Sequence, residues 1–182
     1  MESIAVIAPK GGGGKSTISE CLRQALVDAQ VIDMDHQQTL TILAKINNKP
    51  LPVNTSDVTL KYVIYDTPPY NDEEIRDLMK IVDKIIIPIK GGPPDLAAFP
   101  SVYESLKNTD SFKKTFIVFN EVRKPISNMH KKMVNIFSKN FPKVKITNTN
   151  LSNLNSFKEA LYGDLKGDAL DQIKRLIKEI YI

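Results

Sequence analysis

Lys10-Gly11-Gly12-Gly13-Gly14-Lys15-Ser16-Thr17 is the stretch that decides the fold. It follows the apolar run Ile4-Ala5-Val6-Ile7-Ala8 and opens a segment with helical periodicity over residues 15–28. Consecutive glycines let backbone N–H groups converge on phosphate oxygens, and the helix that follows adds the partial positive charge of its N-terminus. Gly11, Gly12, Gly13 and Gly14 are therefore expected to cradle phosphates together with Lys15, Ser16 and Thr17. In a strand–loop–helix of this kind the lysine before Ser/Thr reaches the β- and γ-phosphates, and the hydroxyl after it takes a place on Mg²⁺. Those roles fall to Lys15 and Ser16. The loop departs from the usual pattern in having Pro9 five residues before Gly14, where glycine is common, and an additional lysine, Lys10, just ahead of the glycines.

Outward from the loop, short apolar runs alternate with amphipathic stretches. Val31-Ile32 leads to Asp33-Met34-Asp35, Tyr62-Val63-Ile64-Tyr65 to Asp66, and Thr115-Phe116-Ile117-Val118-Phe119 to Asn120; Ile85 to Ile89 and a weaker Val144-Lys145-Ile146 complete the set. Runs that are apolar at every position belong to strands covered on both faces. Helical periodicity between them, over residues 72–82, 95–107, 127–139 and 168–181, predicts a doubly wound, mostly parallel α/β sheet with helices on both faces, in one domain spanning residues 1–182. Residues 47–59 read as loop around one short strand. Open parallel sheets bind ligands beyond the carboxyl ends of their strands. Asp66, at such an end, is placed to hold a water on Mg²⁺ opposite Ser16. Asp33 and Asp35 flank Met34 at the end of the run, and one of the two is expected to face the site. Asp35 is the better placed to orient attacking water or join the metal shell.

Composition narrows the partners. The chain has 182 residues, 25 basic and 21 acidic, and a formal charge of +4. The charge is unevenly spread: residues 107–145 hold ten basic side chains against Asp110 and Glu121, a net of +8. Such a block is a candidate polyanion surface, the alternative being lysine-rich solvated helix faces. Within it Met129, Met133, Ile136 and Phe137 share one face of the helix predicted over 127–139, leaving Lys131, Lys132 and Lys139 outward. The lone Cys21 excludes an internal disulfide and an iron–sulfur site. The longest aliphatic run is far too short to span a bilayer, and the N-terminus has no signal-peptide pattern, so a cytoplasmic location is expected. Asn120 is the candidate base contact. Arg123, three residues on, stands where a guanine reader needs a carboxylate and can only donate, which favours adenine.

Taken together these segments resemble the ParA/MinD class of deviant Walker ATPases, above all the small partition ATPases without an N-terminal DNA-binding domain. The carriers are Lys10 to Thr17, Val31 to Gln37 (VIDMDHQ, with His36 where proline is usual), Tyr62 to Pro69 (YVIYDTPP) and Val82 to Ile89 (VDKIIIPI). The resemblance implies ATP and Mg²⁺ as cofactors and an ATP-dependent sandwich homodimer in which Lys10 reaches the partner's nucleotide. It implies slow hydrolysis stimulated by a partner protein of the centromere-binding type. It also implies nucleoid-associated binding of the ATP dimer to DNA without sequence preference, for which Arg123, Lys124, Lys131, Lys132 and Lys139 are the candidates. Two other readings compete. A MinD-like relative would lie on anionic membrane through the helix of residues 168–181, whose Leu170, Ile173, Leu176, Ile177 and Ile180 form an apolar stripe flanked by Lys174, Arg175 and Lys178. An ATP-using synthetase would need a substrate pocket beside the γ-phosphate, for which no residue set is visible.

Overall fold

A computed structural model describes residues 1–48, 61–69, 73–123 and 127–181. Six parallel strands form one sheet: β1 (Glu2–Val6), β2 (Ala29–Asp33), β3 (Tyr62–Asp66), β4 (Lys84–Ile89), β5 (Thr115–Phe119) and β6 (Lys145–Ile146), in the spatial order β2-β3-β1-β4-β5-β6. Seven α-helices accompany them among the described residues: α1 (Lys15–Ala25), α2 (Thr39–Ile46), α3 (Glu73–Ile81), α4 (Pro93–Asn108), α5 (Asn128–Asn140), α6 (Asn155–Glu159) and α7 (Gly167–Ile180). This is the α/β architecture of the P-loop nucleotide-binding proteins.

The apolar strands serve two cores. Ile4, Val6, Ile86, Phe116 and Val118 point to one face, where Ile18, Cys21 and Leu22 of α1 and Ala169, Ile173, Leu176 and Ile180 of α7 cover them. Ala5, Ile7, Ile85, Ile87, Ile117 and Phe119 point to the other, beneath Met79 of α3, Phe99 and Val102 of α4 and Phe137 of α5. Alternate side chains of every central strand are thus buried on opposite faces, which is why the runs show no polar alternation. Pro88 lacks the N–H of a ladder residue, but β1 pairs with β4 only as far as Ile86, so no bond is forfeited there.

Several boundaries differ from the sequence reading. The first helix stops at Ala25, not at residue 28, because Leu26 turns extended and Asp28 takes a left-handed φ of 59° to enter β2. Helix α2 follows the Asp35 loop directly; residues 47 and 48 are its exit, and residues 49–59 of the segment read as loop lie outside the described residues, as do Asp72 and Lys124. The short α6 has no counterpart in the sequence reading. On α5 the expected apolar face is incomplete: Phe137 is fully buried, but Met129 is 70% exposed. In the same first turn the His130 ring stacks edge-on against Phe119 at 4.9 Å. The stripe on α7 is spent inside the protein, with Ile173, Leu176 and Ile180 in the core and Leu170 and Ile177 packed against it. No helix among the described residues is long and apolar enough to cross a membrane.

Candidate functional site

The loop between β1 and α1 sits in the middle of the sheet, at the carboxyl ends of β1, β3 and β4. Two of its glycines are required by conformation. Gly12 has φ 75° and Gly14 φ 91°, and a side chain on Gly14 would strike the Asn120 amide. Gly13 is pinned more loosely, its missing Cβ facing Ala8 and the Pro88 carbonyl. Gly14 is the N-cap of α1 and supplies no side-chain acceptor, so the first N–H groups of the helix are left for a ligand. Gly11, Gly12, Gly14, Lys15, Ser16 and Thr17 line one cavity of about 400 Å³. Asp35, Gln37 and Thr39 enter it from the β2–α2 loop, Pro69 from beyond β3, and Leu161 from beyond α6.

Burial gives this cavity its electrostatic character. Lys15 is only 7% exposed and forms no ion pair among the described residues. Desolvation lowers its pKa, and Asp66 and Asp35 draw it back up. Asp66 is fully buried, and burial pushes its carboxyl up to about 7. The Ser16 and Ser19 hydroxyls and the Lys15 ammonium work against that rise, whereas the nearby Asp33 adds to it. Ser19 Oγ donates to Asp66 Oδ1 at 3.1 Å, and Asp66 Oδ2 is buried without a hydrogen-bond partner among the described residues. Thr67 Oγ1 donates to the Val6 carbonyl at 2.8 Å, tying the end of β3 to that of β1.

The two aspartates after β2 take different tasks. Asp33 Oδ2 accepts from Thr41 N and Thr41 Oγ1, both at 3.0 Å, and its Oδ1 accepts from Asp35 N at 3.3 Å. Its carboxylate is therefore committed to anchoring α2. Among the described residues the Asp35 carboxylate accepts only a local bond, from Gln37 N at 3.0 Å, and it lines the cavity.

Lys10 and Asn120 are both engaged within the chain. Lys10 Nζ lies 3.6 Å from Asp95 Oδ1, while the buried Asp95 also accepts from Lys90 N at 2.9 Å through Oδ2. The Lys10 charge is thus held at the start of α4. Asn120 Nδ2 donates to the Gly13 carbonyl at 3.0 Å, bracing the loop from behind, and the residue lines a small cleft with Gly14 and Thr17. Arg123, Lys131, Lys132 and Lys139 are exposed, and none of them lines the phosphate-loop cavity; Lys124 cannot be placed with them, being outside the described residues.

Residues 4–164 match the CbiA family, described as the CobQ/CobB/MinD/ParA nucleotide-binding domain. The chain belongs to that family. No curated protein sequence matches it. Among solved structures it is similar to a Borrelia burgdorferi protein assigned to plasmid partition and bound to AMPPNP, at 16% identity, with 99% of this chain and 98% of that one covered and a TM-score of 0.77. The ATP complex of a single-residue variant of Cyanothece McdA is similar at 12% identity, 100% and 97% coverage and a TM-score of 0.75. So is pNOB8 ParA bound to nonspecific DNA, at 12% identity, 97% and 98% coverage and a TM-score of 0.64. At these identities the likeness is one of fold.

The ParA/MinD-type site also fits a divalent cation. A buried carboxylate oxygen without a partner, beside a serine hydroxyl and across from a lysine, suits a hydrated hard cation that bridges phosphates. Ser16 and Asp66 would hold Mg²⁺, with Asp35 within the same cavity; the ion would neutralise phosphate charge. The raised Asp66 pKa has a sign that can be checked in metal-free, nucleotide-free protein. A carboxyl whose folded pKa lies above its unfolded value favours the fold at low pH, and that contribution is lost as pH rises towards 7. Asp66→Asn removes the buried charge, so at pH 8 its Tm should exceed that of the wild type, by about 2–4 °C for each kcal/mol relieved in a chain of this size, with the difference shrinking at pH 4. Calorimetry at both pH values checks this; an equal or lower Tm at pH 8 contradicts it.

Proposed function

We propose that this chain is an ATP-dependent partition or cargo-positioning ATPase, whose ATP-bound sandwich homodimer binds DNA without sequence preference and is released when a partner protein stimulates hydrolysis. In this reading the glycine loop and Lys15 hold the triphosphate, Ser16 and Asp66 hold Mg²⁺, and Asp35 orients the attacking water. Asn120 contacts adenine with the carbonyl side of the amide that braces Gly13. Lys10 exchanges Asp95 for the nucleotide of the second protomer. The observation that carries the DNA assignment is the set of exposed cations on α5, Lys131, Lys132 and Lys139, on an element separate from the phosphate-loop cavity. The fold likeness to pNOB8 ParA bound to nonspecific DNA supports it. The membrane alternative loses its main feature, because the apolar face of α7 is already buried.

One protomer offering two or three phosphate contacts would bind DNA weakly at physiological salt. Two protomers joined around ATP make the second contact intramolecular, which raises avidity without new contacts. Surface retention on unrelated DNA duplexes should therefore require ATP rather than ADP and fall steeply with salt. The double variant Lys131→Glu, Lys132→Glu should reduce retention at least tenfold with ATP affinity unchanged, and Lys10→Ala should bind ATP yet fail to be retained. Equal retention with ATP and ADP, or none with either, would remove the DNA reading.

A further inference from the structure

The far wall of the nucleotide cleft comes from late in the chain. Leu161 lines the phosphate-loop cavity, and Leu154, Phe157 and Lys158 line the adjoining cleft that shares Gly14 and Thr17. An apolar side chain such as Leu161 offers nothing to a triphosphate but can pack on a sugar or base. Phe157, Ala160 and Leu165 fix this segment in the core at three points. Between the last two, residues 161–164 form a turn with no fully buried residue, and Leu161 is carried on it.

One side chain spans that turn. Gln24, in the last turns of α1, donates through Nε2 to the Ala160 carbonyl at 2.9 Å and the Gly163 carbonyl at 3.1 Å. Its Oε1 accepts from Leu165 N at 2.6 Å. Both ends of the turn are therefore gripped by one planar amide. That amide is itself steadied by Glu20 Oε1, which accepts from Gln24 Nε2 at 2.8 Å and takes part in the paired bonds from Arg23. The same helix begins with Lys15 and Ser16, so Gln24 joins the wall rigidly to the element that carries the phosphate loop.

We propose that Gln24 is a positioning residue that sets the affinity of the cleft for the nucleoside half of its ligand by fixing Leu161 and the α6 segment against the phosphate loop. The proposal rests on the ATP reading above. Gln24→Met keeps the length and helix propensity of the side chain and removes all of these bonds. Calorimetric titration of the full chain with MgATP and with magnesium triphosphate separates positioning from general damage. ATP affinity should fall at least tenfold in the variant, while triphosphate affinity stays within twofold of the wild type. Unchanged ATP affinity, or equal weakening of both ligands, overturns the proposal; a wild type that binds triphosphate but gains nothing from the nucleoside overturns it too. A wild type that binds neither ligand refutes the ATP reading and the proposal together. Amide exchange in the wild type gives a measurement independent of the variant's folding: MgATP should slow exchange at residues 160–165 more than magnesium triphosphate does, and equal effects count against Gln24.

Discussion

Replacing Lys15 with alanine should all but abolish ATP binding, weakening it by at least about 30-fold. The side chain is 7% exposed, lines the cavity with the glycine loop, and forms no ion pair among the described residues. A buried ammonium in that state is costly unless a ligand supplies the counter-charge, and two adjacent triphosphate groups would do so. Losing that charge-assisted contact costs at least ~2 kcal/mol, about 30-fold in affinity. The loss should be larger, because Lys15 also holds down the pKa of Asp66. Without the lysine a greater share of Asp66 is protonated at neutral pH, and a protonated carboxyl is a poor partner for hydrated Mg²⁺. Titration with a fluorescent ATP analogue decides the matter; near-wild-type affinity would sink the phosphate-loop assignment.

Asp35→Ala should behave in the opposite manner, keeping ATP binding and nucleotide-dependent dimerisation while turnover falls by at least 100-fold, within the usual range for loss of a group that positions or deprotonates a nucleophile. The contrast with Asp33 makes the test specific. Asp33 has both oxygens occupied by Thr41 and Asp35 N, so its removal should cost stability by loosening α2. Asp35 contributes only a local turn bond and should leave the melting temperature nearly unchanged. Phosphate release measured alongside light scattering separates hydrolysis from dimer formation. Normal turnover by Asp35→Ala would move the catalytic role to another residue of the cavity.

What could be read from the sequence was whatever depends on neighbours in the chain. The glycine loop, Asp66 at a strand end and the burial of both faces of the central strands follow from local pattern, and the structure has them. Helix α2 did not show itself because Thr39 to Ile46 is short, and two of its residues, Ile42 and Ile46, are apolar yet exposed, which blurs the helical period. The anchor that makes it a helix is Asp33, outside the segment. The ties that shape the site are longer still: Lys10 to Asp95, Asn120 to Gly13, and Gln24 to Ala160, the last two separated by 107 and 136 residues. No periodicity records such pairs, and the same holds for Thr39 and Leu161, whose place in the cavity shows only in space. Strand alternation would put residues 33 and 35 on one face; they part because β2 ends at Asp33 and Asp35 lies in the loop beyond it.

Because one wall of the cleft is made of residues 152–161, its assembly has an order in time. A ribosome delivers the glycine loop first and the strands around it next, and only after β6 has emerged do Leu154, Phe157 and Leu161 arrive to close the opening beside Thr17. Until then the growing polypeptide owns an anion-binding turn without a nucleoside pocket. On the ATP reading, a nascent chain that has not yet added residues 152–161 would hold phosphates without selecting the nucleoside attached to them.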